Sequence, residues 1–351
     1  MSPYLKKLHE RVMSRRKFII GASAIAAAGS VAFLRQGGPL LTPGVFPEKW
    51  WPVPDKKPAQ SPVVIVKAPD YEDDLQTLIL RGIDLCRVDA RGKTVLLKPN
   101  LVEFSPDRPI NTHPHVVLAA VRAFRARGAS RVIVGEGAGH RRDTELLVEA
   151  SGLGPRLRKE QVEFLDLNLD DTVAIPKVSD FMGTEELFVS KTLREADLLV
   201  SMPKLKTHHW VGATLGMKNL FGCIPGAIYG WPKNVLHWCG IEESIVDITA
   251  ALRPAFTIVD GITGMEGDGP INGSAKPFGA LIMGADTVAV DATCARLMGI
   301  DPQKMRYLDA AGRFLGQIDS KKIEQCGEAV QTMTKPFILP DKLQELRLDS
   351  V

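Results

Sequence analysis

Short apolar runs alternate along the chain with longer stretches in which apolar positions recur every three or four residues. VVIVKA (63–68), TVLLKPN (94–100), the run beginning at Val132, VEFLDLN (162–168), ADLLV (196–200), the run from Ala255 to Asp260 and GALIMGAD (279–286) have the length and composition of buried strands. Between them the period changes to that of helices. From Asp70 or Tyr71 to Cys86, Leu75, Leu78, Ile79, Ile83 and Leu85 supply an apolar face. In 110–128, Thr112 reads as an N-cap, Pro114 as a first-turn residue and Gly128 as the terminator. Ile241, Ile245, Ile248, Ala251 and Leu252 keep helical spacing, as does the stretch after Asp286 that carries Asp291 and ends near Gly299. The segment leading to Ser190 predicts a hairpin or a cover over the sheet, and Thr214 to Phe221 predicts a further helix. Repeated strand–helix alternation predicts an α/β fold with a single large, mainly parallel sheet and helices on both faces.

The ends follow other patterns. Residues 1–35 run from a basic start through SRRKF (14–18) into IIGASAIAAAGSVAFL (19–34) and predict an N-terminal signal or anchor helix. Arg15 and Arg16, with Phe18 two positions on, resemble a twin-arginine export signal, which makes the twin-arginine translocase the expected partner and the location periplasmic or otherwise extracytoplasmic. If uncleaved, this helix would tether the protein to a membrane. Residues 36–62 hold seven prolines and predict a semi-extended linker, 63–315 the α/β domain and 316–351 a peripheral C-terminal segment.

Of 351 residues, 45% are apolar and 24% charged, the composition of a globular protein. The net charge of +3 is uneven: residues 1–35 carry +6, so the remainder is slightly acidic. Nucleic acid is therefore not an expected partner, since no dispersed basic footprint is present. The five cysteines are widely spaced without a CxxC pair, so no iron–sulfur cluster is expected from local motifs.

Candidate chemistry collects just after the predicted strands, where open α/β sheets bind ligands. Lys98 and Asn100 follow one strand; Lys204, Lys206, Thr207, His208 and His209 follow another, with Lys218 and Asn219 shortly beyond. So many ammonium groups close together repel one another unless carboxylates or a bound anion answer them. Lys98, Lys204, Lys206 and Lys218 are expected to hold a small phosphate or carboxylate that Asn100 and Asn219 orient. Glu136, between two glycines, and Asp260, at a strand end, are candidate proton acceptors. His208 is the candidate proton shuttle because an ordinary imidazole titrates near neutrality. Asp260 and Asp286, each placed after a strand, are candidate ligands for a divalent cation, the alternatives being helix capping and charge pairing with the lysines.

The PKLKTH (203–208) and TLGMKNLFG (214–222) blocks resemble the signature of the domain of unknown function 362 family. Matching pieces are VLLKPNLV (95–102), VIVGEGAG (132–139), IVDGITGMEGDGP (258–270) and MGADTVAVDATCARLMG (283–299), so the resemblance spans about residues 93 to 300. Some relatives carry an added ferredoxin-like segment, from which this chain departs. The resemblance implies no particular reaction. The sequence thus predicts an envelope-associated protein with a lysine-rich anion pocket, either an enzyme, with or without a metal, or a non-catalytic solute-binding or redox-assembly factor.

Overall fold

The computed structural model describes residues 57–139, 143–184, 186–230 and 233–349. The expected signal or anchor helix, the twin-arginine motif and nearly all of the proline-rich linker lie outside the described residues. Among the described residues no helix is long and apolar enough to cross a membrane.

Among the described residues ten strands form one sheet: β1 (Ser61–Lys67), β2 (Thr94–Pro99), β3 (Arg131–Glu136), β4 (Glu163–Asp166), β7 (Leu198–Met202), β8 (Lys204–His208), β9 (Gly212–Thr214), β10 (Phe256–Glu266), β11 (Ser274–Gly284) and β12 (Ile323–Gly327). A separate antiparallel pair joins β5 (Thr172–Ile175) to β6 (Leu187–Ser190), the hairpin alternative for that region. The main order is β12-β1-β11-β10-β7-β2-β3-β4, with β8 beside β10 and β9 beside β8. The run β10-β7-β2-β3-β4 is parallel, whereas β11 is antiparallel to both β1 and β10. The sheet is therefore mixed, though mostly parallel.

Alternation along the strands sorts side chains between two layers. Val64, Val66, Val95, Leu97, Val132 and Val134 join one apolar cluster with helices Leu75–Leu85 and Pro114–Ala126. The latter buries eight residues, each large one contributing about 1.5–3 kcal/mol, so packing holds it more than intrinsic propensity does. On the other face, helix Thr287–Leu297 packs on β1, β10 and β11. It approaches so closely that a Cβ at Gly284 would stand 2.6 Å from the Val290 side chain.

Four details differ from the sequence reading. The first helix begins later, at Leu75, because the Asp74 carboxylate caps it by accepting from Thr77 N. His113, not Thr112, caps the next; the Thr112 hydroxyl instead accepts from Asn100 N (2.9 Å) and donates to Met202 O (2.6 Å), joining the ends of β2 and β7. Lys204 to His208 is a buried strand rather than a loop, so Lys204, Lys206 and His208 share one side of it. The C-terminal segment supplies the edge strand β12, parallel to β1.

Candidate functional site

The carboxyl ends of β2, β3, β7 and β8 meet the glycine-rich segment after β9, and a buried polar network fills the junction. Lys98 is fully buried at the end of β2, and its ammonium donates three hydrogen bonds: to Pro99 O (2.7 Å), Glu136 Oε2 (2.8 Å) and Asn219 Oδ1 (2.9 Å). Glu136 also accepts from Leu101 N (2.8 Å) and Gly137 N (2.9 Å). A buried ammonium with three partners and a carboxylate with three donors meet the condition for a tolerable buried ion pair. Asn219 turns its amide nitrogen to Lys98 O and Ser201 Oγ, so its oxygen must face Lys98 and Asn100. Gly222 closes the junction. A Cβ there would overlap Glu136 Oε1 and lie 2.5 Å from Lys98 Nζ.

Glu136 is consequently not the open proton acceptor that its flanking glycines predict. Those glycines make room for protein: a Cβ at 135 would crowd Leu167 at 3.1 Å, and one at 137 would stand 2.7 Å from Gly222 O.

A second pair lies one strand further on. Lys204 donates to Asp260 Oδ2 (2.8 Å) and Tyr71 OH (2.7 Å), Tyr71 OH donates to Asp260 Oδ1 (3.2 Å), and His113 N donates to Asp260 Oδ2 (2.9 Å). Burial lowers the Lys204 pKa while Asp260 opposes the fall. The His113 ring stacks on Tyr71 with centroids 3.7 Å apart, and burial pushes its pKa down to about 4. Asp260 is thus engaged on both oxygens and does not line the main cavity, nor does Lys204 or Lys206.

Asp286 lies elsewhere. Because β11 runs antiparallel to β10, its end falls beside the start of β10, with Gly284 opposite Thr257, whereas Asp260 pairs with Leu281. Asp286 caps helix Thr287–Leu297 and accepts from Ser61 Oγ (2.6 Å) and Gln317 N (2.8 Å). The two aspartates do not converge, so the cation site that places them together is corrected to the capping and charge-pairing alternatives. Among the described residues no group of three or more His, Cys, Asp or Glu side chains comes together in a metal-binding arrangement. The cysteines at 86, 223, 239, 294 and 326 are free thiols.

In front of the Lys98–Glu136 pair opens a cavity of about 980 Å³ that Asn100, His208, Lys218, Lys233 and His237 help to line. Its lysines differ from the paired ones. Lys233 is buried and donates to Gly137 O and Phe221 O, both at 2.8 Å, with no carboxylate within hydrogen-bonding distance among the described residues. Burial lowers its pKa to about 8 against the opposing pull of Glu136. Lys218 is half-buried, sits 3.7 Å above the Phe221 ring and donates no hydrogen bond among the described residues. Burial, then the charges of Lys233 and Lys98, bring it down to about 7. Behind the wall, Lys206 donates to Ile110 O (2.7 Å) and Pro270 O (3.3 Å), and burial with the Lys204 and Lys218 charges pushes its pKa far down.

The imidazoles take complementary tautomers. His208 Nδ1 accepts from Trp210 N at 3.2 Å, which leaves the proton on Nε2. Burial and then the Lys218 charge hold His208 far below its ordinary pKa, so it is a neutral donor and not the near-neutral titrating shuttle that its residue type predicts. His237 Nδ1 donates to Lys233 O at 3.0 Å, so its Nε2 is an acceptor. Asn100 Oδ1 is buried without a hydrogen-bond partner among the described residues. Its orientation is set by Asn100 Nδ2, which donates to Asn219 Oδ1 at 3.2 Å.

Of the residues expected at the site, Lys98, Asn100, Glu136, His208, Lys218 and Asn219 come together at this cavity. Lys233 and Tyr71 are not among them, whereas His237 belongs to the aromatic-rich stretch 226–240, whose rings the sequence offers as a pocket wall. The aromatic-rich stretch around Lys233 marks a pocket wall without singling out its lysine, and Lys233 adopts a left-handed backbone (φ 66°) that residue type does not predict. Tyr71 looks like an ordinary residue near a helix start. Only its hydrogen bonds to Lys204 and Asp260 reveal its place.

An α/β scaffold with a lysine-lined cavity at its strand ends defines a candidate ligand-binding protein. Residues 95–296 match the family described as domain of unknown function (DUF362), and the chain belongs to that family. It is similar to a thylakoid-associated protein of Synechocystis sp., with 31% identity over 230 residues, covering 64% of this chain and 68% of the relative. Its fold is similar to that of the lactate racemase apoprotein from Thermoanaerobacterium thermosaccharolyticum (15% identity, TM-score 0.43), a match covering 71% of this chain and 59% of that one. A Thermotoga maritima protein from structural genomics is also similar in fold (14% identity, TM-score 0.36, covering 65% of this chain and 59% of that one). These two likenesses concern fold alone.

Proposed function

We propose that the cavity binds a small carboxylate or phosphate and that the protein works at the cell envelope. The observation that supports this is the imbalance of charge around it. Lys98 is answered by Glu136 and Lys204 by Asp260, while among the described residues Lys206, Lys218 and Lys233 have only carbonyl or ring partners. A ligand anion supplies the missing charge and raises the pKa of each of these ammonium groups. The Lys218 ammonium, His208 Nε2–H and the remaining N–H of Lys233 are its donors, and Asn100 Oδ1 accepts from a ligand hydroxyl. The Arg15–Arg16 motif underlies the envelope location, and the thylakoid association of the Synechocystis relative agrees with a membrane-side setting.

Calorimetric titration of the full chain with inorganic phosphate and with propionate tests this reading. Saturable binding of at least one, weakened by at least about tenfold in Lys218→Met, is expected from loss of one charge-assisted contact. Binding of neither anion, or equal binding by the variant, overturns it. A second reading, a partner-binding factor, draws on Trp210 and Trp238, which are 55% and 73% exposed. Under that reading Trp238→Ser abolishes association while anion affinity is unchanged.

A further inference from the structure

Resting on the anion-site reading, we propose that Lys218 forms an imine with the carbonyl carbon of a small oxo acid bound in the cavity. The geometry singles out this lysine from its neighbours. Lys98 has all three N–H bonds occupied, Lys204 is held by Asp260 and Tyr71, and Lys206 lies behind the wall between two carbonyls. Lys233 spends two of its donors on Gly137 O and Phe221 O. Lys218 Nζ alone lines the cavity with its nitrogen uncommitted to any hydrogen bond among the described residues, resting on the Phe221 face.

An amine acts as a nucleophile only when deprotonated, and burial beside other cations produces that state. The surroundings of Lys218 supply both conditions: burial in the cavity wall desolvates it, and Lys98 and Lys233 repel its proton. The neutral nitrogen adds its lone pair to the carbonyl carbon while the C=O π pair moves to oxygen. Two protons then leave nitrogen and depart with that oxygen as water, giving a C=N bond; protonation of nitrogen makes it an iminium. No oxidant or reductant is consumed. His237, whose Nε2 is an acceptor and whose ring borders the same Phe221 side chain at 6.1 Å between centroids, is placed to relay these protons. The substrate's carboxylate meets the remaining Lys233 N–H and His208 Nε2–H. The class is therefore a short acid bearing an aldehyde or ketone, not a simple acid.

Pyruvate and sodium cyanoborohydride added to the full chain convert any imine into a stable secondary amine, which peptide mass spectrometry locates. Lys218 is expected to be modified at least about tenfold faster than the exposed Lys67 and Lys191, because more of it is free amine. Excess propionate should suppress that modification. Lys218→Arg, with folding checked by circular dichroism, should lose the modified peptide. Modification spread evenly over exposed lysines overturns the proposal even if the variant misfolds. Propionate or phosphate binding without trapping at Lys218 overturns the imine alone and leaves the anion site standing. Failure to bind pyruvate, propionate and phosphate overturns both.

Discussion

Two sets of buried or half-buried lysines face opposite electrostatic situations. Lys98 and Lys204 are buried against Glu136 and Asp260 at 2.8 Å, with the remaining hydrogen-bonding capacity of those carboxylates taken up by backbone amides and Tyr71. Among the described residues Lys218 and Lys233 pair with no carboxylate, and both stand at the cavity. The first set joins the ends of the parallel strands. The second holds charge in reserve. A lysine after a strand is therefore not evidence of ligand contact by itself; its partner decides which kind it is.

Breaking a paired lysine should have the largest effect. Asp260→Ala leaves the Lys204 ammonium without its counter-charge and removes the acceptor of Tyr71 OH and His113 N. A loss of about 3–5 kcal/mol in urea unfolding is expected, from an uncompensated buried charge. Adding Lys204→Met should recover much of it, because the orphaned charge goes too. A single-variant loss below about 1 kcal/mol would place this pair among inconsequential surface bridges.

The unpaired set should respond in the opposite sense. Lys218 titrates near 7 when folded, below the ordinary lysine value of about 10.4. Between those values the unfolded chain binds more protons, so this residue makes stability rise with pH; its penalty is full below about 7 and gone above about 10.4. Lys218→Met should therefore be stabilised relative to the parent below about pH 7, with the gain shrinking as pH rises toward 10. Urea unfolding curves across that range check it, and a pH-independent difference would show that Lys218 carries no unpaired charge.

How much of this was legible from residues alone follows the same division. Period and run length reveal the strands, the helices and the crowding of Lys98, Lys204, Lys206 and Lys218 near strand ends. They do not give strand direction. Apolar runs such as GALIMGAD look alike parallel or antiparallel, and the antiparallel setting of β11 carries Asp286 away from Asp260. Nor do they give the pairs. Pairing of the carboxylates with lysines is one of the alternatives the residues offer, but which lysine each meets is not: Lys98 closes on Glu136 and Lys204 on Asp260 across 38 and 56 residues of sequence. Lys233 falls in a stretch whose aromatics and His237 dominate its reading, and His208 loses the titration its residue type implies because burial and then the Lys218 charge act together.

The smallest effect concerns what holds the unpaired charge at all. Phe221 offers Lys218 a ring face at 3.7 Å, an interaction that favours the ammonium over the neutral amine by about 0.5–1 kcal/mol at such a half-buried site. Phe221→Leu keeps an apolar body but removes the quadrupole, so the pKa of Lys218 should fall further, by less than about one unit at 1.36 kcal/mol per unit. The pH dependence of Lys218 modification by an amine-reactive reagent, followed by peptide mass spectrometry, reads that shift directly and separates it from any change in packing. The midpoint should move to lower pH while the fully deprotonated rate stays the same. A midpoint that moves upward would mean that the ring's chief effect is to exclude water from the ammonium, and Phe221 would then belong with the residues that drive the proton off Lys218.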